Sequence, residues 1–242
     1  MIKYGYIRKI INFSAIDGPG NRTVIFLQGC NFNCLSCHNP ETIPIFNNLN
    51  MENTEVQLMS VYDILKVLDK NKNFIRGVTI SGGECTVQFE FLLDLVMNLK
   101  KHGYEVYLDT NGSLEISKFQ HILHFIDKII FDLKVFEEKE HIKLTGVSNR
   151  KVKRNIKIAA VNHQIYEIRT VVIPKLIDNY KNIDKISRFI ASLDKNMQYK
   201  LTTYRQQGVR ENLLKTNSPS KKQMSNLREI CKNNGLLNVI VN

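Results

Sequence analysis

The sequence predicts an α/β fold, a partial (β/α)6 TIM-like barrel built on a parallel sheet. Three observations lead there. Short apolar runs rich in β-branched residues alternate with amphipathic stretches, the connections between them are short, and the residues least at home in a core gather where strands end. The 242 residues are 43% hydrophobic and 24% charged, enough for one sizeable core. Six strand–helix units are too few to close the usual eight-stranded barrel, hence a partial one. No linker, repeat or low-complexity tract divides the chain, so residues 1–242 are expected to form a single domain.

The elements follow in order. Thr23–Leu27 is the first expected strand. The polar, Asn-rich tract from Pro40 to Glu55 reads as a mobile loop. Val61–Leu68 carries Val61, Ile64, Leu65 and Leu68 at the i, i+3, i+4, i+7 spacing of one buried helical face. Strands at Val78–Ile80, Val106–Leu108 and Lys128–Phe131 alternate with helices at Phe89–Leu99, Ile116–Phe125 and Val152–Val161. Glu167–Ile173 is closed by Pro174, where a missing N–H does least harm. Helix Ile183–Leu193, strand Tyr199–Thr202 and helix Met224–Cys231 complete the pattern.

Sites in parallel α/β architectures collect at the carboxyl ends of strands. Gln28-Gly29-Cys30 follows the first expected strand and Ser81-Gly82-Gly83-Glu84 the second. Asp109-Thr110-Asn111-Gly112 follows the third, and Asp132-Leu133-Lys134 the fourth. All four would share one rim.

No run of eighteen apolar residues exists and the N-terminus lacks a secretory signal, so a cytoplasmic protein without membrane attachment is expected. The formal charge of +11 raises nucleic acid or an acidic protein as partners. The lysines are scattered and no nucleic-acid motif accompanies them, so a solvated basic surface is the reading preferred.

Five cysteines, an odd number, argue against a disulfide framework, and three of them fall in the pattern Cys30-x3-Cys34-x2-Cys37. Three thiolates on a tight loop can hold three irons of a cubane cluster and leave the fourth iron open; such clusters ordinarily take four cysteines. The competing reading is a zinc site of Cys30, Cys34, Cys37 and His38, in which the adjacent Cys37 and His38 would strain to reach one tetrahedral ion.

The cysteine pattern resembles the signature of the radical S-adenosylmethionine (SAM) superfamily, and Ser81-Gly82-Gly83-Glu84 is similar to its second motif. Ile16-Asp17-Gly18-Pro19-Gly20-Asn21-Arg22, Phe26 to Pro40, Leu108 to Gly112, Phe131 to Lys134 and Leu144 to Asn149 resemble the glycyl-radical-enzyme activating enzymes, including the pyruvate formate-lyase activases. Tyr204 to Arg210 looks most like the YjjW-type branch.

The resemblance implies a radical SAM core with one [4Fe–4S] cluster on Cys30, Cys34 and Cys37. It implies SAM chelated to the open iron through its amino and carboxylate groups. Gly82 and Gly83 would let the backbone approach closely, Glu84 would orient the ammonium, and Lys134, beside Asp132, would meet the carboxylate. Ser36 and His38 match residues that recognise adenine, and Arg205 stands where the pyruvate formate-lyase activase has a histidine near SAM. Asp109, Thr110 and Asp132 match positions that bind a monovalent cation, Na+ or K+. Arg169, a charge inside the fifth strand, needs a partner, for which the SAM carboxylate is a candidate. Asp17, Gly18, Pro19 and Gly20 read physically as a turn and, by resemblance, as a contact to the partner protein.

The implied reaction is reductive cleavage of SAM and formation of a glycyl radical on a partner glycyl radical enzyme, with flavodoxin or ferredoxin as electron donor and the chain acting as a monomer. Many activases of the branch insert a ferredoxin-like domain carrying eight further cysteines, and no cysteine lies between His38 and Glu84 here. Cys85 and Cys231 are assigned no ligand role. Other readings are a radical SAM enzyme acting on a small molecule or on anaerobic ribonucleotide reductase, and a zinc-bound basic RNA-binding module.

Overall fold

The computed structural model describes residues 2–45, 55–210 and 212–242. The chain forms two compact units. The first comprises Met1–Asn31, Glu41–Thr110 and Leu114–Ile129; the second comprises Phe32–Pro40, Asn111–Ser113 and Ile130–Asn242.

The first unit is built on β1 (Tyr4–Ser14), β2 (Arg22–Leu27), β3 (Gln57–Ser60), β4 (Gly77–Gly82) and β5 (Glu105–Thr110). Their order is β3-β1-β2-β4-β5. The pair β2–β4 and the pair β4–β5 are parallel, and β1 runs antiparallel to both β2 and β3. Parallel neighbours need crossover helices, and these cover the sheet. Val24, Ile25, Val78, Ile80, Val106 and Leu108 are all fully buried as a result.

The crossover helices are α1 (Val61–Asp69), α2 (Phe89–Lys101) and α3 (Ile116–Ile122). Helix α1 buries the Val61, Ile64, Leu65 and Leu68 stripe read from its spacing. Its start is fixed reciprocally: the Asp63 N–H donates to Ser60 Oγ at 3.2 Å, and the Ser60 N–H donates to the Asp63 carboxylate at 3.0 Å.

Strand β6 (Lys128–Asp132) begins in the first unit and ends in the second. The second unit continues with α4 (Glu138–Thr145), α5 (Arg150–Val161), β7 (Ile165–Val172), α6 (Asn179–Leu193), β8 (Gln198–Thr203), α7 (Lys221–Asn233) and β9 (Val239–Val241). Strands β7, β8 and β9 pair in parallel. Helix α4 ends on Gly146, whose φ of 82° closes the last turn in the left-handed region.

The six expected strands correspond to β2 and β4–β8. The structure adds β1, β3, β9 and α4. Several strands also run further than expected: Ser81, Gly82, Asp109, Thr110 and Asp132 are terminal strand residues rather than loop residues. Of the expected loop from Pro40 to Glu55, Pro40–Thr42 forms a short 3₁₀ turn, and residues 46–54 lie outside the described residues. Among the described residues, no helix is long and apolar enough to cross a membrane.

Candidate functional site

In the first unit the parallel register brings the carboxyl ends of β2, β4 and β5 to one edge, with Leu27 opposite Gly82. The loop leaving β2 is laid over the end of β4. The Gly83 N–H donates to the Leu27 carbonyl at 3.1 Å and the Glu84 N–H to the Gly29 carbonyl at 2.8 Å. The Gly29 and Cys30 N–H groups donate to the carbonyls of Thr42 and Ile43 at 2.9 and 3.0 Å.

This packing leaves no room for a Cβ. One on Gly82 would lie 2.1 Å from the Leu27 oxygen, and one on Gly83 would lie 2.5 Å from the Gly29 oxygen. Gly82 also has φ +134°, outside the range L side chains adopt. A Gly83→Ala variant is expected to push the Cys30 loop outward and weaken SAM binding about tenfold, equivalent to ~1.4 kcal/mol. A SAM titration followed by ultrafiltration checks it; affinity equal to wild type refutes the close approach.

Glu84 is 1% exposed. Its Oε1 accepts from the Thr86 N–H at 3.1 Å, the Thr86 hydroxyl at 2.6 Å and the Thr110 hydroxyl at 2.7 Å. Asp109 accepts from the Ser81 hydroxyl at 2.9 Å. The first unit therefore gathers Cys30, Gly82, Gly83, Glu84, Asp109 and Thr110 along one edge.

In the second unit the cysteine loop is seated on the end of α4. The Asn33 N–H donates to the Thr145 carbonyl and the Leu35 N–H to the Leu144 carbonyl, both at 2.9 Å, bracketing Cys34. The Cys37 N–H turns back to the Cys34 carbonyl at 3.2 Å. Beneath the loop, Phe32 meets the edge of the buried His141 ring at 5.5 Å, and His141 Nδ1 donates to the Val147 carbonyl at 2.6 Å.

The Leu144–Asn149 segment also holds the chain beyond β6. Asn149 Nδ2 donates to the carbonyls of Val135 and Phe136, both at 2.8 Å, and Thr170 Oγ1 donates to that of Leu133 at 2.7 Å. Lys134 Nζ then reaches Asp132 Oδ2 at 3.1 Å. Burial alone would lower the Lys134 pKa, but Asp132 and the thiols of Cys34 and Cys37 more than offset it, so the ammonium is held firmly charged. Burial raises the Cys34 thiol, and Lys134 opposes that rise.

The segment after β8 packs over the same loop. Gly208, at φ +86°, comes so close that a Cβ would lie 2.6 Å from the His38 oxygen. The Tyr204 ring lies 6.1 Å from the His38 ring, and Arg210 Nη2 donates to the Cys34 carbonyl at 2.9 Å. Burial lowers the His38 pKa, against an opposing hydrogen bond with the Arg205 main chain. The Arg205 side chain is exposed and Ser36 is half-buried. Arg205 thus meets His38 through its backbone.

Arg169 finds its partner on its own strand: it pairs with the buried Glu167 two residues away, and Lys200 lies 4.0 Å from the same carboxylate. This replaces the expectation that a SAM carboxylate supplies the counter-charge.

The Asp17–Gly20 turn lies at the amino end of β2, the opposite end of that strand from Cys30. Its anchor, Arg22, is an arginine with no exposure at all. Arg22 donates to Thr79 Oγ1 (2.8 Å), Glu105 Oε2 (2.7 Å), the Val78 carbonyl (3.0 Å) and the Glu105 carbonyl (3.1 Å). Its guanidinium carbon sits 4.0 Å from the Tyr107 ring centroid. Thr79 passes the constraint on by donating to the Asp17 carbonyl at 2.7 Å. Sequence reasoning assigned no role to Arg22 or Arg210; a charge opening an otherwise apolar strand was the signal available for Arg22.

The donor set fits a [4Fe–4S] cluster. Cys85 and Cys231 are buried away from solvent, and burial pushes the Cys85 thiol well up and that of Cys231 up to about 12, so both stay protonated. Cys30, Cys34 and Cys37 share one loop, to which neither Cys85 nor Cys231 belongs. Among the described residues, His38 Nε2, Tyr204 Oη and Arg210 Nε, in the cysteine loop and the segment packed over it, are among the buried polar atoms without a hydrogen-bond partner. Among the described residues, no group of three or more His, Cys, Asp or Glu side chains is arranged to hold a single metal ion.

Fold and cysteine loop together define a mixed α/β protein with a partial parallel sheet, of the (β/α)6-like radical SAM class. Residues 16–173 match the model of the 4Fe-4S single cluster domain family. The chain is 32% identical over 231 residues to a Haemophilus influenzae protein described as a glycyl-radical enzyme activating enzyme, covering 85% of this chain and 84% of that one. It is 32% identical over 211 residues to the pyruvate formate-lyase-activating enzyme of Staphylococcus epidermidis, covering 85% and 83%. QueE from Escherichia coli shares the fold, with a TM-score of 0.64 at 16% identity over 99% of this chain and 94% of that one. The chain belongs to the radical SAM family of glycyl-radical-enzyme activating enzymes.

Proposed function

We propose that the chain is a single-domain activase with one cluster, held by Cys30, Cys34 and Cys37, and no ferredoxin-like insert. When bound, the [4Fe–4S] cluster supplies the electron that splits SAM into methionine and a 5′-deoxyadenosyl radical, which takes a hydrogen atom from the α-carbon of a glycine in a partner glycyl radical enzyme. The observation that carries this reading is the loop of three cysteines, with Cys85 and Cys231 fully buried outside it, which leaves one iron for SAM.

The protein's part is binding and orientation. Gly82 and Gly83 admit the methionyl backbone. Glu84, fixed by Thr86 and Thr110, offers its charge to the ammonium, and Lys134, kept protonated by its neighbours, takes the carboxylate. Ser36 and His38 receive the adenine, with the Arg205 main chain behind His38. Asp109, Thr110 and Asp132 provide hard oxygens for Na+ or K+. The Asp17-Gly18-Pro19-Gly20 turn, braced by Arg22, meets the partner protein. No side chain is required as general acid or base. Flavodoxin or ferredoxin delivers the electron directly, since the chain has cysteines for one cluster only. The chain acts as a cytoplasmic monomer on a protein substrate, without nucleic acid.

The test is anaerobic reconstitution with iron and sulfide. A brown protein that converts SAM to 5′-deoxyadenosine and methionine under dithionite is expected. It should also raise a glycyl-radical doublet in the electron paramagnetic resonance (EPR) spectrum of a glycyl radical enzyme from the same genome. A colourless protein with one zinc, or SAM cleavage with no radical on any such enzyme, overturns the reading.

A further inference from the structure

Arg210 has one hydrogen bond and one gap. Its Nη2 is fixed on the Cys34 carbonyl at 2.9 Å. Its Nε is buried without a hydrogen-bond partner among the described residues. A buried N–H left empty is costly, and native interiors fill nearly all of them. None of the described residues supplies that acceptor.

The guanidinium is not free to turn away and find one elsewhere. Val209 and Leu214, on either side of it, are buried in the same apolar cluster as Tyr204 and Leu144, and Leu35 of the cysteine loop packs against that cluster. Gly208 is pressed onto the His38 backbone. The segment from Tyr204 to Arg210 thus works as a strap over the cysteine loop, with Arg210 pinned next to Cys34.

We infer that Arg210 is a positioning residue for the cluster: Nη2 sets the Cys34 backbone, while the Nε–H donates to a sulfur of the bound cluster. The inference rests on the cluster reading above. A hydrogen bond to sulfur and a nearby positive charge both favour the reduced, more negative cluster, so Arg210 raises its reduction potential. Lys134 contributes charge on the Cys34 and Cys37 thiols; Arg210 adds a directional donor.

The experiment uses the full chain, reconstituted anaerobically, with the potential read by EPR-monitored titration in the absence of SAM. Arg210→Met is expected to make reduction about tenfold less favourable, ~59 mV more negative for one electron. Arg210→Lys, which keeps the charge but loses the planar fork, is expected to fall between Met and wild type. Lys215→Gln removes an exposed charge from the segment that follows and should leave the potential unchanged. An exchangeable-deuteron coupling to the reduced cluster is expected in wild type and lost in both Arg210 variants.

If the methionine variant loads no cluster, the lysine variant decides by the same two readouts. Wild-type potential and coupling in an Arg210 variant that carries a full cluster overturns the inference alone, as does an equal shift in Lys215→Gln. A wild-type chain that takes up no cluster overturns the function reading and this inference with it.

Discussion

Cys34→Ala abolishes cluster loading: the reconstituted variant is expected to hold under about a tenth of the wild-type iron and to cleave SAM at least ~100-fold more slowly. Losing a residue that only supports a metal ligand costs 10–100-fold, and losing the ligand itself costs more. No other thiol can substitute. Cys85 is fully buried with its Sγ–H donating to the Asp109 carbonyl at 3.5 Å, and Cys231 is fully buried on α7. The fold should survive, because the bonds that seat the loop come from the N–H groups of Asn33 and Leu35 and from the Cys34 carbonyl, none of which alanine removes. Iron and sulfide analysis, far-ultraviolet circular dichroism and 5′-deoxyadenosine yield check it together. Full cluster content with wild-type SAM cleavage would exclude Cys34 as a ligand.

Arg22→Met is expected to cost about 3 kcal/mol of stability, the lower end of the range for breaking a buried ion pair. The lower end applies because Glu105 is 27% exposed and keeps Arg76 at 3.4 Å. For a chain this long that is a drop of roughly 6–12 °C in melting temperature. Thr79 and the carbonyls of Val78 and Glu105 lose a donor at the same time. Arg22→Lys should recover less than half of the loss, since an ammonium cannot reproduce a planar fork with four bonds in two directions. Thermal melts of the apo-protein measure it; a methionine variant within about 1 kcal/mol of wild type would show that Arg22 is not the brace of the Asp17–Gly20 turn.

The parallel strands were legible because strands buried on both faces read as continuous β-branched runs, as Thr23–Leu27 and Val78–Ile80 do. Strand β1 was not, because it pairs antiparallel, is half-exposed and carries register shifts that break its alternation. Strands β3 and β9, four and three residues long, are too short to show a period. Half of helix α4 is charged, and it buries only His141, Leu144 and Thr145. Its contribution is the pair of carbonyls at its end, and main-chain acceptors leave no mark in a sequence.

The site was legible where chemistry needs a rare residue at a fixed spacing, as with the three cysteines and the paired glycines. It was not where a common residue is made special by its surroundings. Arg169 looked like a ligand for a cofactor, yet Glu167 on the same strand face neutralises it. Arg205 was placed near SAM only by its position, and the structure adds a hydrogen bond between its main chain and His38. Arg22 and Arg210 look like surface arginines in one dimension; only the burial of Arg22 and the bond from Arg210 to the Cys34 carbonyl show that each holds a turn or a loop in place.

The bonds from Asn33 and Leu35 to the end of α4 have a consequence for the chain without its cluster. The middle of the cysteine loop takes its shape from amide and carbonyl groups that owe nothing to iron. Those hydrogen bonds hold this stretch in shape whether or not the cluster is bound.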